Sequence, residues 1–309
     1  MKILVTCPPM LRMIDNFRPL FESKGIELSA PNVVQTLSVE ELKALVPQHD
    51  GWIIGDDPAT REVFEAGKAG KLKAAVKWGI GVDNVDFAAC KDLDIPIINT
   101  PNMFGGEVAD IAVGYVIGLA RQTFLIDRGV RAGQWPKPAG ISLSGKNVAL
   151  LGFGDIGRNV AKRLLACGMS IQAYDPYYSE HAGLEEVVPM TWPQGLETAD
   201  FIVITCALTA SSRHMLNEET LAIAKEGVRV VNVARGPIID EAALIRALAS
   251  GKVHSAALDV FEEEPVPPAS PLRDNPLCIL GSHNASNTSD AVVRTSHIAI
   301  EKLYQFLGV

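Results

Sequence analysis

The chain is poor in several features that would decide its class at once. Its five cysteines, Cys7, Cys90, Cys167, Cys206 and Cys278, are odd in number, scattered and free of any C-x-x-C pair. That excludes a disulfide framework, supplies no zinc or other metal site, and suits a reducing cytoplasm. No apolar run approaches the ~20 residues of a membrane span. Residues 1–6 are a short apolar run without a signal-peptide cleavage pattern, so they read as a first strand. A net charge of −8, with no basic block and no interleaved aromatics, argues against a nucleic-acid surface. Repeats of solenoid period and low-complexity tracts are absent too. What remains is 309 residues, 48% hydrophobic and 21% charged, enough for two globular domains with their own cores.

The most informative stretch is 147–175, NVALLGFGDIGRNVAKRLLACGMSIQAYD. Val148-Ala149-Leu150-Leu151 is an apolar run suited to a strand buried on both faces. Gly152-Phe153-Gly154-Asp155-Ile156-Gly157 follows directly, and Ile156, Val160, Ala161, Leu164 and Leu165 then recur at helical spacing until Cys167-Gly168. A second strand, Ile171–Tyr174 in position, ends on Asp175. In a βαβ unit of this kind Gly152 permits the tight turn, Gly154 lets backbone approach a pyrophosphate, and Gly157 lets helix and strand pack closely. The helix start offers unpaired N–H groups and a positive dipole end to that anion. Asp175, 23 residues after Gly152, is placed to accept hydrogen bonds from ribose hydroxyls and to repel a 2′-phosphate. Since Pro176-Tyr177-Tyr178 supply no arginine, NAD is expected rather than NADP.

Strand and helix signals alternate along the rest of the chain. Strands are expected at 3–6, 51–54, 73–76, 95–98, 201–205, 228–233, 256–260 and 277–280. Helices are expected at 17–24, 62–66, 107–121, 241–249 and 287–307. The helix at 107–121, EVADIAVGYVIGLAR, is apolar nearly all round and reads as buried. Its apolar surface exceeds what one core requires, which suggests a homodimer. Residues 133–138 and 264–271 read as loops.

Polar residues at the expected strand ends are the candidates for chemistry, because ligands of open α/β sheets bind there. Arg235, in N-V-A-R-G, is able to grip a carboxylate with two hydrogen bonds, or to form a surface ion pair. Three acids, Glu262-Glu263-Glu264, follow Leu258-Asp259-Val260-Phe261, and spacing alone does not say which of them works. His283 follows the last strand, whereas His49, His181, His214, His254 and His297 lack such a setting; position leaves both a catalytic and a structural role open for it. In the first half, Lys77-Trp78-Gly79-Ile80-Gly81 fits a carboxylate-holding backbone nest and, equally, a tight βα turn.

The order of these motifs resembles the NAD-dependent D-2-hydroxyacid dehydrogenases, and within them the D-3-phosphoglycerate dehydrogenases. The glycine turn, N-V-A-R-G, A-L-D-V-F-E-E-E-P, S-H-N-A-S-N-T, G-I-G-V-D-N-V-D at 79–86 and T-P-N at 100–102 carry the resemblance from about residue 50 onward. The resemblance implies that Arg235 binds the substrate carboxylate and carbonyl oxygen, that His283 is the acid-base residue, and that Glu264 is its partner. It implies a cofactor held by Gly152, Gly154, Asp155, Ile156, Gly157 and Asp175, with Cys206 and Ala207 along the adenine side and Ala234 and Asp259 toward the nicotinamide. Substrate contacts would come from Lys77, Gly79, Ile80, Gly81 and Asn102. A neighbouring carboxylate favours a charged histidine, the form able to protonate a developing alkoxide.

The pattern has departures. Ser282 and Ala207 stand where the family usually has proline, and Asp110 where it has glutamate. At Gly55-Asp56-Asp57-Pro58 the phosphoglycerate enzymes present an arginine to the substrate phosphate; two acids there would repel it, with Lys77 in partial compensation. With the sequence running to Val309, the C-terminal regulatory domain that some phosphoglycerate dehydrogenases carry is not expected. The expected architecture is α/β: two doubly wound parallel-sheet domains, a Rossmann-type NAD domain at 99–283 inserted into a discontinuous substrate domain of 1–98 and 284–309, with the active site in the cleft between them. The expected activity is hydride transfer between NAD(H) and a small D-2-hydroxy or 2-oxo acid, 3-phosphoglycerate among the candidates. Hydroxypyruvate or glyoxylate reduction, and a non-catalytic NAD-responsive co-repressor, are the alternatives.

Overall fold

A computed structural model describes all 309 residues. They divide into two compact units, Met1–Phe104 with Asn287–Val309, and Gly105–Ser286. The unit boundaries fall at 104/105 and 286/287, against the expected 98/99 and 283/284.

The first unit begins β1 (Lys2–Val5), α1 (Pro8–Arg12), α2 (Ile14–Glu22), β2 (Glu27–Ser29), α3 (Val39–Leu45), β3 (Gly51–Ile54), α4 (Arg61–Ala69), β4 (Ala74–Lys77), α5 (Phe87–Asp92) and β5 (Ile97–Asn99). Its five strands are all parallel, in the order β2-β1-β3-β4-β5. β3 and β4 are buried at every position, which is why both read as short continuous apolar runs rather than as alternating strands. Three helices here, α1, α3 and α5, were missed from the sequence. α3 carries a complete capping box: Ser38 Oγ accepts from Glu41 N–H, and the Glu41 carboxylate accepts from Ser38 N–H. The S-V-E-E spelling was its available signal. α5 is only six residues long, capped by Asp86, too short for a helical period to show.

The second unit runs α6 (Gly105–Arg121), α7 (Thr123–Arg131), β6 (Asn147–Leu151), α8 (Asp155–Ala166), β7 (Ser170–Tyr174), β8 (Val188–Pro189), β9 (Phe201–Ile204), α9 (Glu218–Ile223), β10 (Val228–Asn232), α10 (Glu241–Ser250), β11 (Val253–Leu258) and β12 (Ile279–Leu280). Its seven strands, also all parallel, take the order β12-β11-β10-β9-β6-β7-β8. The sheet reverses direction of growth between β6 and β9, a switch point where crossovers leave a crevice. Its core joins Ala149, Leu151, Ile202, Ile204, Val228, Val230, Ala256 and Leu258 from the strands to Leu221, Leu244 and Ala247 from the helices.

One expectation for this unit is corrected. α6 is not buried all round: Asp110, Ile111, Gly114, Ile117 and Arg121 form an exposed stripe at helical spacing, while Val108, Ala112, Tyr115, Val116 and Leu119 face inward. α6 and α7 meet at Gln122, which is left-handed (φ 53°), with a 69° bend, and no single helix is long and apolar enough to cross a membrane.

The chain closes with α11 (Ser289–Leu307), which belongs to the first unit. Trp78 Nε1 donates to Ser296 Oγ at 3.1 Å, and Tyr304 OH donates to Leu20 O at 3.1 Å. These bonds and the buried Ala299, Ile300 and Leu303 explain why the C-terminus returns to the N-terminal sheet.

Candidate active site

Strand register sets the second unit's site. Tyr174, Leu151, Ile204, Asn232, Leu258 and Leu280 are successive Cα partners across β7, β6, β9, β10, β11 and β12. At ~4.8 Å per strand step, this row runs on the order of 24 Å. The first residues beyond it are Asp175, Gly152, Thr205, Val233, Asp259 and Gly281. Arg235 and His283 each stand three positions past the row. Residues far apart in sequence are thus aligned along one edge, at the carboxyl ends of parallel strands.

At one end of this row lies the glycine turn. Gly152 has φ 96°, and a Cβ on it would come within 2.6 Å of the Cys206 backbone. A Cβ on Gly157 would meet Gly152 O at 2.2 Å, so the turn and α8 cannot separate enough for any larger residue. Gly154 is the N-cap of α8, exposed, with no side-chain cap. The first N–H groups of α8 therefore have no side chain competing for them, which is the arrangement a pyrophosphate requires. Asp175 Oδ2 accepts from Phe153 N–H at 2.7 Å and Oδ1 from Tyr177 N–H at 2.8 Å, which fixes the carboxylate beside the turn. These residues fit a dinucleotide with an unphosphorylated ribose.

The remaining cofactor candidates differ in what they offer. Asp155 turns its carboxylate onto the start of α6, where a Cβ at Gly105 would lie 2.3 Å from Oδ2, so Asp155 offers only its backbone N–H, as does Ile156. Burial pushes the Cys206 thiol up to about 11, leaving it a neutral lining group. Ala207 is exposed, and its carbonyl accepts from Ser212 Oγ at 2.7 Å. Thr205, unremarked in the sequence, donates through Oγ1 to Gly152 O at 2.9 Å and clasps the turn to β9.

At the opposite end His283 Nδ1 lies 2.8 Å from Glu264 Oε2, and Glu264 Oε1 accepts from Phe261 N–H at 2.9 Å. The carboxylate assigns the tautomer: Nδ1 carries the hydrogen toward Glu264. Both side chains are about one-quarter exposed, enough for access without full solvation. His283 sits in the left-handed region, φ 53°, where a non-glycine residue costs about 1–2 kcal/mol. Its N–H donates to Asp259 O at 2.7 Å. Of the three consecutive acids it is Glu264 that meets the histidine. Glu262 instead pairs with His214 at 2.6 Å.

Between these ends, Arg235 follows the buried Asn232. Asn232 Oδ1 accepts from Ala234 N–H at 3.0 Å, and its Nδ2 donates to Arg235 O at 2.9 Å. This side chain shapes the turn that presents Arg235, half-buried, with Nη1 on Ala234 O. Sequence reasoning passed over Asn232, although a lone amide inside an apolar strand was a signal. Asp259, placed by the resemblance toward the nicotinamide, is 3% exposed, and its Oδ2 accepts from Ala285 N–H at 2.8 Å.

In the first unit Lys77 is 2% exposed, donating to Gly55 O at 2.5 Å and to Asp56 Oδ1 at 3.0 Å. Its charge is committed internally. Asp57 is wholly buried and accepts from Thr6 Oγ1, Leu37 N–H and Gly55 N–H; burial pushes its carboxyl above the usual range. The expected pair of repelling acids is therefore one structural acid and one paired with lysine. Gly79 N–H donates to Thr100 Oγ1 at 2.8 Å, so that N–H is taken up within the unit. Asn102 is exposed at φ 57°. No group of three or more His, Cys, Asp or Glu residues is arranged to hold a metal.

Residues 113–285 match the family model described as D-isomer specific 2-hydroxyacid dehydrogenase, NAD binding domain. The chain is 38% identical over 280 residues to a hydroxypyruvate reductase of Thermotoga maritima, covering 88% of this chain and 90% of that one. It is also 38% identical over 259 residues to a chloroplastic D-3-phosphoglycerate dehydrogenase of Arabidopsis thaliana, covering 82% of this chain but 41% of the plant protein. The chain thus spans less than half the length of that relative. Among solved structures, a Thermus thermophilus protein superposes with a TM-score of 0.89 at 29% identity, covering 100% of this chain and 97% of that one.

Proposed function

Because this chain belongs to the NAD-dependent D-2-hydroxyacid dehydrogenases, we propose that it interconverts a small unphosphorylated 2-oxo acid and its D-2-hydroxy acid, in the manner of a hydroxypyruvate or glyoxylate reductase. The His283–Glu264 pair, aligned by strand register with Arg235 and the glycine turn, carries the assignment of the chemistry. Lys77 carries the assignment of the substrate class. It is the cation at the end of β4, and it is buried against Gly55 O and Asp56, so it is not offered to a phosphate.

In this reading Arg235 holds the substrate carboxylate with parallel N–H donors and places another donor on the carbonyl oxygen, where negative charge grows. Bound NADH supplies the hydride. As the carbonyl carbon is reduced, His283 Nε2 gives its proton to the oxygen, and the imidazole is re-protonated from solvent. Glu264 keeps the ring oriented through Nδ1–H and stabilises the imidazolium before transfer. In the oxidation direction His283 takes the hydroxyl proton instead.

NADH consumption by the purified chain with glyoxylate, hydroxypyruvate and 3-phosphohydroxypyruvate tests this. The unphosphorylated acids are expected to lead in kcat/KM by about tenfold or more. A preference for the phosphorylated acid would overturn the substrate class and favour the phosphoglycerate reading. Absence of turnover with any of them would favour an NAD-responsive binding module.

We also propose a cytoplasmic homodimer. All five cysteines are free. Ile111 and Ile117 on α6, Phe124 and Val130 on α7, and Trp135, 76% exposed, leave an apolar surface of the kind a second copy covers. Sedimentation equilibrium at micromolar concentration is expected to give the mass of two chains, and a monomer there rejects the dimer.

A further inference from the structure

The catalytic histidine's turn is anchored by one buried acid from two sides. His283 N–H donates to the Asp259 backbone carbonyl and Ala285 N–H to its carboxylate Oδ2. Gly281 N–H, two residues earlier, donates to Leu258 O at 2.7 Å. Residue 283 is held at a positive φ that an unsupported histidine would leave. The Asp259 side chain therefore anchors the far side of the His283 turn, through Ala285 N–H.

Something must orient Asp259 in its turn. Its second oxygen, Oδ1, points to the place a Cβ on Gly281 would occupy, 2.1 Å away, and the Tyr115 hydroxyl closes on the same spot at 2.6 Å. The two side chains fill the volume that glycine leaves open. Tyr115 comes from the middle of α6, 9% exposed, among the inward-facing Ala112, Val116 and Leu119. Its phenol faces the Asp259 carboxylate, and burial followed by that negative charge pushes its ionisation far above the ordinary phenol value. It stays a neutral O–H, able to donate to Oδ1. A buried carboxylate needs such donors on both oxygens.

We propose that Tyr115 is a positioning residue for His283: its hydroxyl, set against Asp259 in the space that Gly281 leaves, holds that carboxylate so that it anchors the histidine's turn. This rests on the acid-base reading of His283. Tyr115 touches neither substrate nor cofactor in this scheme and acts through Asp259 alone.

Tyr115→Phe removes one oxygen and keeps the ring. In the full-length protein we expect kcat to fall about tenfold, the scale of leaving a buried charged group short of a donor, with KM for the 2-oxo acid and the fluorescence-measured Kd for NADH unchanged. The pH midpoint of kcat should shift. In a double-mutant cycle with Asp259→Asn, the tyrosine substitution should cost little once the carboxylate is gone. An unchanged kcat and pH profile in Tyr115→Phe would overturn the proposal, as would full additivity in the cycle or a loss confined to KM. The cycle keeps the proposal testable if Tyr115→Phe also lowers Tm. Failure of the underlying reading looks different: there, His283→Ala itself would retain turnover.

Discussion

Replacing His283 by alanine is expected to lower kcat for 2-oxo acid reduction by about 10²–10⁴-fold, the usual contribution of a positioned general acid. NADH binding should be nearly intact, because the glycine turn and Asp175 lie at the opposite end of the strand-register row. The sign of the pH dependence follows from the role. Reduction needs the protonated imidazole, so its rate should fall as pH rises through the histidine's pKa; oxidation needs the neutral form and should fall as pH drops. Loss of His283 should remove that limb from both profiles. Because the residue is left-handed, alanine also introduces strain, and His283→Asn separates the two effects, asparagine being tolerated there. Stopped-flow and steady-state measurements of both variants decide the matter. Retained turnover in either one would reject the acid-base assignment.

Asp175→Ala should lower the NAD to NADP selectivity ratio by about 10²-fold or more. Two effects combine. The loss of hydrogen bonds from a charged acceptor costs about 1.5–3 kcal/mol in NAD use, and repulsion of a 2′-phosphate disappears at the same time. The neighbourhood then favours a phosphate: Arg158 Nη1 donates to Phe153 O at 3.1 Å and lies 3.3 Å from His181 Nε2, beside the turn that Asp175 anchors. The backbone N–H groups of Phe153 and Tyr177 lose their acceptor, and Tyr177, 90% exposed, recovers its bond from water. Measuring kcat/KM for both cofactors reads the ratio directly. An unaltered ratio would show that the ribose contact lies elsewhere.

The local grammar of this chain determined the parts of the fold that depend on near neighbours. The fully buried strands β3 and β9, and β6 beyond Asn147, showed as apolar runs because parallel strands are covered on both faces. The glycine turn and Asp175 were legible because the residues suited to a pyrophosphate and a ribose lie within a single βαβ unit. Arg235, Glu264 and His283 needed the ordered resemblance as well, since 48 residues separate the first from the last.

Tertiary structure decided what depends on pairing between distant segments. Only parallel register brings Asn232, Leu258 and Leu280 into one row, and the structure sets Glu264, the acid the resemblance implied, against His283 while Glu262 pairs with His214. Burial turned Lys77 from a candidate substrate contact, and Asp57 from a candidate phosphate-repelling acid, into interior groups, because an ion or carboxyl group withdrawn from water must take its partners from the chain around it. Tyr115 was invisible for the same reason. Along α6 it is one more large residue on an apolar face, and its meaning comes from a carboxylate 144 positions later and from the missing side chain of Gly281.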